Sequence, residues 1–202
     1  MALIPKKNSN NKSLQCEIFE SSNFHAISPL HKRELNHSHA SLTQWRKNIY
    51  EYQNKVTEKL HKPIDQTSLF RIEDDLEFIN INPFSLTKFS INFWRSNKIV
   101  DKGPAMYFVI DTIKTSKIIL YIGETNSADK RWKGEHDCKN YLSNYSDSLQ
   151  KANMMPKLNI RFWLDVPIKT KERRKLEQKL IQTWLPPFNK ETRGIWATPF
   201  TS

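Results

Sequence analysis

The chain has 202 residues and a mass of 23.9 kDa, enough for one domain with an extension or for two small domains. Lys and Arg outnumber Asp and Glu by 32 to 21, so the net charge is +11. This balance favours a polyanionic partner, although a basic surface kept for solubility has the same balance. The presence of only 4 glycines argues against a glycine-rich phosphate loop of the nucleotide-binding kind.

The first half of the chain predicts an arm, a helix and a linker. Residues 1–40 are rich in Asn, Ser, Lys and His, which is typical of a flexible basic arm. Residues 41–44, Ser-Leu-Thr-Gln, fit the pattern of a helix start, and apolar residues then recur at helical spacing. We predict an amphipathic helix over residues 42–61, with Arg46 on one of its wetter faces, and interpret residues 41–100 as this helical extension and a linker.

A short peptide in this linker reads Gln66-Thr67-Ser68-Leu69-Phe70. It resembles the bacterial sliding-clamp-binding peptide, whose pattern is close to Gln-Leu-Ser/Asp-Leu-Phe. The resemblance implies that Leu69 and Phe70 bury in a clamp pocket while Gln66 hydrogen-bonds its rim. The alternative is that Leu69 and Phe70 fold back onto the core of the protein itself.

Residues 101–195 give the clearest pattern of secondary structure. The predicted elements are a strand at 106–110, a strand at 118–122, a helix capped by Asn126 and Ser127 that runs to Leu142, a strand at 159–166 and a helix at 170–184. The polar link between the first two strands predicts a hairpin. The order β, β, α, β, α predicts an α+β fold with a small, three-stranded, mainly antiparallel sheet flanked by helices, and with the earlier helix as an N-terminal extension.

Glu177 stands out on the last predicted helix because it is a carboxylate on the apolar side. It precedes Leu180 by three residues and Ile181 by four, so its side chain points toward the core side. A buried carboxylate is costly unless it meets a cation, a hydrogen-bond network or a metal. The ordinary explanation is an ion pair with Arg173 or with Arg131.

Several residues of this region occur in an order that resembles the GIY-YIG nuclease superfamily, over about residues 103–190. They are Tyr107, the triplet Tyr121-Ile122-Gly123, Arg131, and Glu177 followed twelve residues later by Asn189. The segment from Glu177 to Asn189 is the most family-like part. The resemblance therefore covers less than half of the chain and implies a GIY-YIG-like fold.

Two positions depart from the family pattern. The first triplet reads Ala105-Met106-Tyr107 rather than Gly-Ile-Tyr, and its tyrosine is kept. The family often has His or Tyr four residues after the helix arginine, where this chain has Glu135, with His136 one residue further on. The second departure implies either that His136 does not have the family role or that the helix is locally irregular near Gly134.

The resemblance implies hydrolysis of a phosphodiester bond in DNA. Glu177 would hold one divalent cation, Mg²⁺ or Mn²⁺, which prefers the oxygen ligands of a carboxylate, a phosphate and water. Tyr107 would accept a proton from the attacking water, and Arg131 would clamp the phosphate. Tyr121 would orient the nucleophile or the phosphate, and His136 would assist proton transfer or contact phosphate. The alternatives are that Tyr121 is a core aromatic and His136 an ordinary exposed side chain.

Two further residues have structural roles in this interpretation. Gly123 lets the backbone or a substrate approach closely, whereas a plain turn glycine would explain the same residue. Asn189 is expected to be a structural tie beside the helix that carries Glu177.

The leading hypothesis is a metal-dependent DNA endonuclease that acts in repair, recombination or restriction. The alternative is a non-catalytic DNA-binding or clamp-associated adaptor that keeps the nuclease fold, and the positive charge also allows an RNA partner. The resemblance implies a GIY-YIG-like nuclease domain at 101–195.

The cysteine positions and the hydropathy indicate the cellular compartment of the protein. Cys16 and Cys138 are far apart in the sequence and form no metal-binding spacing, which is typical of a reducing compartment. No apolar run approaches the roughly 20 residues of a membrane span, and the first residues lack the apolar core of a secretory signal. We therefore expect a soluble, cytoplasmic protein with no membrane partner.

Overall fold

The computed structural model describes residues 38–60, 81–93, 102–113, 115–128, 130, 132, 137–198 and 200. Of the two compact units into which the chain divides, these residues all belong to His31–Ser202. Most of the predicted N-terminal arm lies outside the described residues. So do the clamp-like peptide with Gln66, Leu69 and Phe70, and the site candidates Arg131 and His136.

Within the described residues, the fold contains three α-helices and four β-strands. In chain order they are α1 (His39–Leu60), β1 (Lys88–Ser90), β2 (Ala105–Ile113), β3 (Ser116–Thr125), α2 (Asp137–Lys151), β4 (Leu158–Trp163) and α3 (Thr170–Trp184). The strands form one antiparallel sheet in the order β1-β4-β2-β3. The predicted α+β class is therefore confirmed. None of the described helices has the length and apolar character needed to cross a bilayer.

The prediction of three strands was one strand short. The fourth strand, Lys88–Ser90, pairs with β4 at the sheet edge and buries no residue fully. A strand of three residues has too few positions for apolar and polar residues to alternate recognisably. Its sequence therefore carried no signal.

The second helix begins later than predicted. Residues 126–128, 130 and 132 lie in bends, turns or coil, and α2 begins at Asp137 and ends at Lys151 rather than at Leu142. The Ser127 N–H donates to Thr125 Oγ1 at 3.0 Å, and Thr125 Oγ1 donates to the Ser127 carbonyl at 3.1 Å. These local bonds close a turn, which is the alternative to helix capping that Ser and Thr side chains offer.

The helix α3 packs on one face of the sheet. Its buried apolar side chains are Leu176, Leu180, Ile181 and Trp184, and they form one hydrophobic cluster with the strand residues Met106, Phe108, Ile110, Ile119 and Ile122. The cluster holds α3 against β2 and β3. This packing determines which side chains of α3 face away from the sheet.

The helix α1 runs beside β3, an edge strand of the described sheet. The Gln53 side chain accepts from the Ile119 N–H at 2.7 Å and donates to the Ile119 carbonyl at 3.0 Å, as a neighbouring strand would. Gln53 also donates to the Trp184 carbonyl at 3.1 Å. The amide group thereby satisfies backbone groups that an edge strand leaves unpaired.

Arg46 is not on a wetter face of α1, as its helical position predicted, but is buried. Its guanidinium forms an ion pair with the fully buried Asp111 of β2 and a hydrogen bond with Tyr145 of α2. Tyr145 donates to Asp111 at 2.7 Å, and the Lys157 N–H donates to the other carboxylate oxygen at 2.8 Å. Burial, followed by the neighbouring carboxylate, raises the pKa of Tyr145 well above its ordinary value, so this phenol stays neutral. Asp111 explains the position of Arg46, because a buried carboxylate needs a cation and hydrogen bonds.

Candidate active site

The two candidate tyrosines lie on the paired strands β2 and β3. Tyr107 is opposite Gly123 in the register, and Tyr121 is opposite Val109. The two phenol rings are stacked, with centroids 5.9 Å apart and planes 26° apart. Tyr107 is fully buried, whereas Tyr121 is partly exposed. Tyr121 is therefore the phenol of this pair that reaches the surface.

Other aromatic side chains enclose Tyr107. Its ring lies edge-on to Trp132 at a centroid distance of 5.7 Å and is tilted against Phe162 of β4 at 6.3 Å. Edge-to-face and stacked pairs in this distance range are favourable aromatic geometries. The ring of Tyr107 is thus fixed, and it supports the ring of Tyr121 from behind.

Gly123 is required by the ring of Tyr107. A Cβ atom at position 123 would lie 2.8 Å from Tyr107 Cε1 and closer still to Cζ and the phenol oxygen. Gly123 lies inside β3 and does not have a positive φ, so the explanation as a plain turn glycine was wrong. The glycine is there because an aromatic ring lies across the strand, a close approach that only a residue without Cβ permits.

Replacing Gly123 with alanine is expected to lower the free energy of unfolding by about 1–3 kcal/mol, because Tyr107 is enclosed and cannot retreat without moving its neighbours. The measurement is urea unfolding followed by circular dichroism. Gly194→Ala is the matched control, because nothing lies within 4 Å of a Cβ there and its φ is not positive. Equal stability of the Gly123 and Gly194 variants would contradict the assigned contact.

Glu177 lies on α3 and is partly buried. Its Oε1 atom accepts from the backbone N–H of Glu124, the residue after Gly123, at 3.1 Å. This bond links the carboxylate of α3 to β3 at the strand position next to the glycine. A backbone donor of this kind orients one carboxylate oxygen and stabilises its negative charge.

Of the two ordinary explanations for Glu177, the ion pair with Arg173 was wrong, and the ion pair with Arg131 lies outside the described residues. Arg173 is fully buried, and its Nε donates instead to Glu124 Oε2 at 2.8 Å. Its Nη1 atom donates to the carbonyl groups of Pro167 and Ile168 at 3.0 and 2.9 Å. Sequence reasoning missed Glu124, whose position beside Glu177 depends on the pairing of α3 with the sheet.

Tyr121 and Glu177 line the same open groove, whose volume is about 600 Å³. Its other charged residues are Asp137, Lys190, Glu191 and Arg193. Successive side chains of a strand point to opposite faces of the sheet, so Tyr121 reaches the groove from the face opposite Ile122. Glu177 reaches the groove from α3, which packs on the Ile122 face. Because β3 is the outer strand of the described sheet, side chains from both faces meet at its edge.

Asn189 also lines the groove and is almost fully buried. Its Oδ1 accepts from the Ile122 N–H at 3.0 Å, and its Nδ2 donates to the Ile122 carbonyl at 2.8 Å. The Phe188 N–H adds a bond of 2.9 Å to the Leu120 carbonyl. The segment after α3 is therefore bonded along the edge of β3 and forms a fixed wall of the groove.

The structure thus brings Tyr121, Glu177 and Asn189 to one groove, with Tyr107 stacked behind Tyr121. Tyr107 itself is not among the residues that line the groove. Arg131 lies outside the described residues.

Glu177 can supply one carboxylate to a cation. Among the described residues, no three or more His, Cys, Asp or Glu side chains gather in a way that could hold a metal ion. A hard cation such as Mg²⁺ can take a single protein carboxylate and complete its shell with phosphate oxygens and water. The oxygen chemistry of Glu177 fits Mg²⁺ or Mn²⁺ on these terms.

Comparisons with known proteins identified no match for this chain. No protein-family model matches the chain, and no curated protein or solved structure matches it. Any functional assignment therefore depends on the residues and geometry of this chain.

Proposed function

We propose that this protein is a GIY-YIG-type DNA endonuclease that hydrolyses phosphodiester bonds with the help of Mg²⁺ or Mn²⁺, in repair, recombination or restriction. One observation carries the proposal: Tyr121 and Glu177, which come from separate sequence motifs, line the same open groove. The net charge of +11 supports DNA as the partner.

Glu177 is the residue that would hold the divalent cation. When bound, the cation would neutralise the charge that develops on the phosphate and on the leaving oxygen. The carboxylate is oriented for this task by the Glu124 N–H, which binds its Oε1 atom. That hydrogen bond fixes α3 relative to β3 at the point where the phosphate would lie.

Tyr121 is the phenol that a water molecule or a phosphate in the groove can reach. We propose that the hydroxyl group of Tyr121 orients the nucleophile or the phosphate. Tyr107, expected to accept the proton of the attacking water, is fully buried in this conformation. In this form of the protein Tyr107 therefore supports the ring of Tyr121, and a role as proton acceptor needs access to its hydroxyl group upon substrate binding.

Arg131 and His136 keep the roles that the family resemblance implies. Arg131 is proposed to clamp the phosphate with its guanidinium, and His136 is proposed to assist proton transfer or to contact phosphate. Both belong to the undescribed part of the chain.

The proposal is tested by offering the protein three forms of DNA in the presence of Mg²⁺: a plasmid, a linear duplex and a branched duplex. Discrete cuts in the plasmid and the linear duplex would indicate that sequence directs cleavage, as in restriction. Preferential cutting of the branched DNA would indicate that shape directs it, as in repair or recombination. Binding of all three without cleavage would reject the nuclease in favour of the adaptor.

We also propose a bacterial-type sliding clamp as a partner, bound through Gln66, Leu69 and Phe70. Replacing both Leu69 and Phe70 with alanine is expected to weaken clamp binding by at least roughly tenfold, because such anchors supply most of the affinity of a short peptide. Calorimetry with a purified clamp measures this change. Thr67→Ala, at the one position that departs from the clamp-binding pattern, is the control, and absence of clamp binding by the unaltered protein would end the proposal.

A further inference from the structure

The outward face of α3 carries a row of cations. Lys171, Arg174, Lys175 and Lys179, here called the α3 stripe, recur at helical spacing and line one shallow surface depression. Neither of the two acids of this stretch, Glu172 and Glu177, lines that depression. The face is therefore positively charged along its whole length.

Two lysines of the α3 stripe are available to a partner. Lys171 and Lys175 are exposed, and neither forms an ion pair within the described part of the chain. The nearby Glu172 pairs instead with Lys169, with Oε1 and Nζ 3.3 Å apart. Arg174 is also exposed, but its Nε lies 3.5 Å from Glu124 Oε1, so its charge is partly used within the protein.

The α3 stripe is continuous with the groove that holds Glu177. Gln178 lines both the shallow depression and the groove, and it immediately follows Glu177. From Lys171 to Lys179 the helix rises by about 12 Å, the axial length of about three to four base pairs. A strand lying along the α3 stripe would thus pass directly beside the groove.

We propose that the α3 stripe binds the phosphate backbone of duplex DNA next to the bond placed in the groove. This inference rests on the proposed function only in placing the cut beside Glu177. Lysine ammonium groups neutralise phosphates and release counterions regardless of base sequence. The α3 stripe therefore sets the affinity and orientation of the duplex, while residues of the groove act on the bond.

The test is the binding of a fluorescein-labelled duplex, followed by anisotropy in EDTA from about 50 to 200 mM salt. Lys171→Gln with Lys175→Gln is expected to weaken binding roughly tenfold and to reduce the salt slope by about 2, one for each lost phosphate contact. The matched control is Lys55→Gln with Lys59→Gln, which removes the same charge from exposed positions of α1. The control is expected to bind nearly as the unaltered protein does.

Equal weakening by the two lysine pairs would overturn the proposal, because it would assign binding to diffuse charge. Tighter binding of an RNA duplex through the same lysines would overturn the choice of DNA. Failure of the unaltered protein to bind any duplex would end both this proposal and the nuclease. Binding that depends on Lys171 and Lys175 without any cleavage in Mg²⁺ would leave the α3 stripe in place and reject the nuclease alone.

Discussion

Replacing Glu177 with glutamine is expected to slow Mg²⁺-dependent DNA cleavage by at least about 100-fold. Glutamine keeps the size of the side chain and an oxygen that can accept from the Glu124 N–H, but it removes the charge that would hold a divalent cation. Loss of a few kcal/mol of charge stabilisation in the transition state corresponds to this factor. The rate is measured as nicking of a supercoiled plasmid.

The variant should still bind DNA in EDTA with nearly unchanged affinity, because Glu177 contributes no positive charge. Glu172→Gln is the matched control, since this acid is on the same helix, is exposed and pairs with Lys169. The control should cleave as the unaltered protein does. Normal cleavage by Glu177→Gln would remove the metal-holding role from this residue.

Replacing Asp111 with alanine is expected to lower the free energy of unfolding by about 3–5 kcal/mol. The change leaves the buried guanidinium of Arg46 without its carboxylate and deprives the Tyr145 hydroxyl and the Lys157 N–H of their acceptor. Unpaired buried charge is more costly than the loss of the pair itself. Urea unfolding monitored by circular dichroism measures the change.

The control for this experiment is Asp165→Ala, an exposed carboxylate whose loss should change stability by no more than about 0.5 kcal/mol. Removing both charges, with Arg46→Met and Asp111→Leu, should recover much of the loss, because no unpaired charge then remains. A loss in Asp111→Ala no larger than that of Asp165→Ala would contradict the assigned network.

Local periodicity was sufficient to predict much of the fold. The strands β2 and β3 contain short continuous apolar runs, β4 alternates and α3 has apolar residues at helical spacing; the structure has all four elements, with β4 ending at Trp163 rather than at residue 166. The buried stripe of α3 also placed Glu177 beside the core side of the helix. These predictions succeeded because each depended on residues close together in the sequence.

The predictions that failed depended on partners distant in the sequence. Arg46 was expected to face solvent because nothing near it indicates that Asp111, 65 residues later, needs a cation. An ion pair with Arg173 was one ordinary explanation of Glu177, yet Arg173 pairs with Glu124 of β3, 49 residues earlier in the sequence. The contact between Gly123 and Tyr107 likewise follows from strand register, which the sequence of one chain does not specify.

The measurement that tests the central claim most directly is the nicking of a supercoiled plasmid by the unaltered protein, in Mg²⁺ and in excess EDTA, with binding followed in the same samples. We predict cleavage in Mg²⁺ and bound but intact plasmid in EDTA. Plasmid that is bound and intact in Mg²⁺ as well as in Mn²⁺ would contradict a nuclease at this groove.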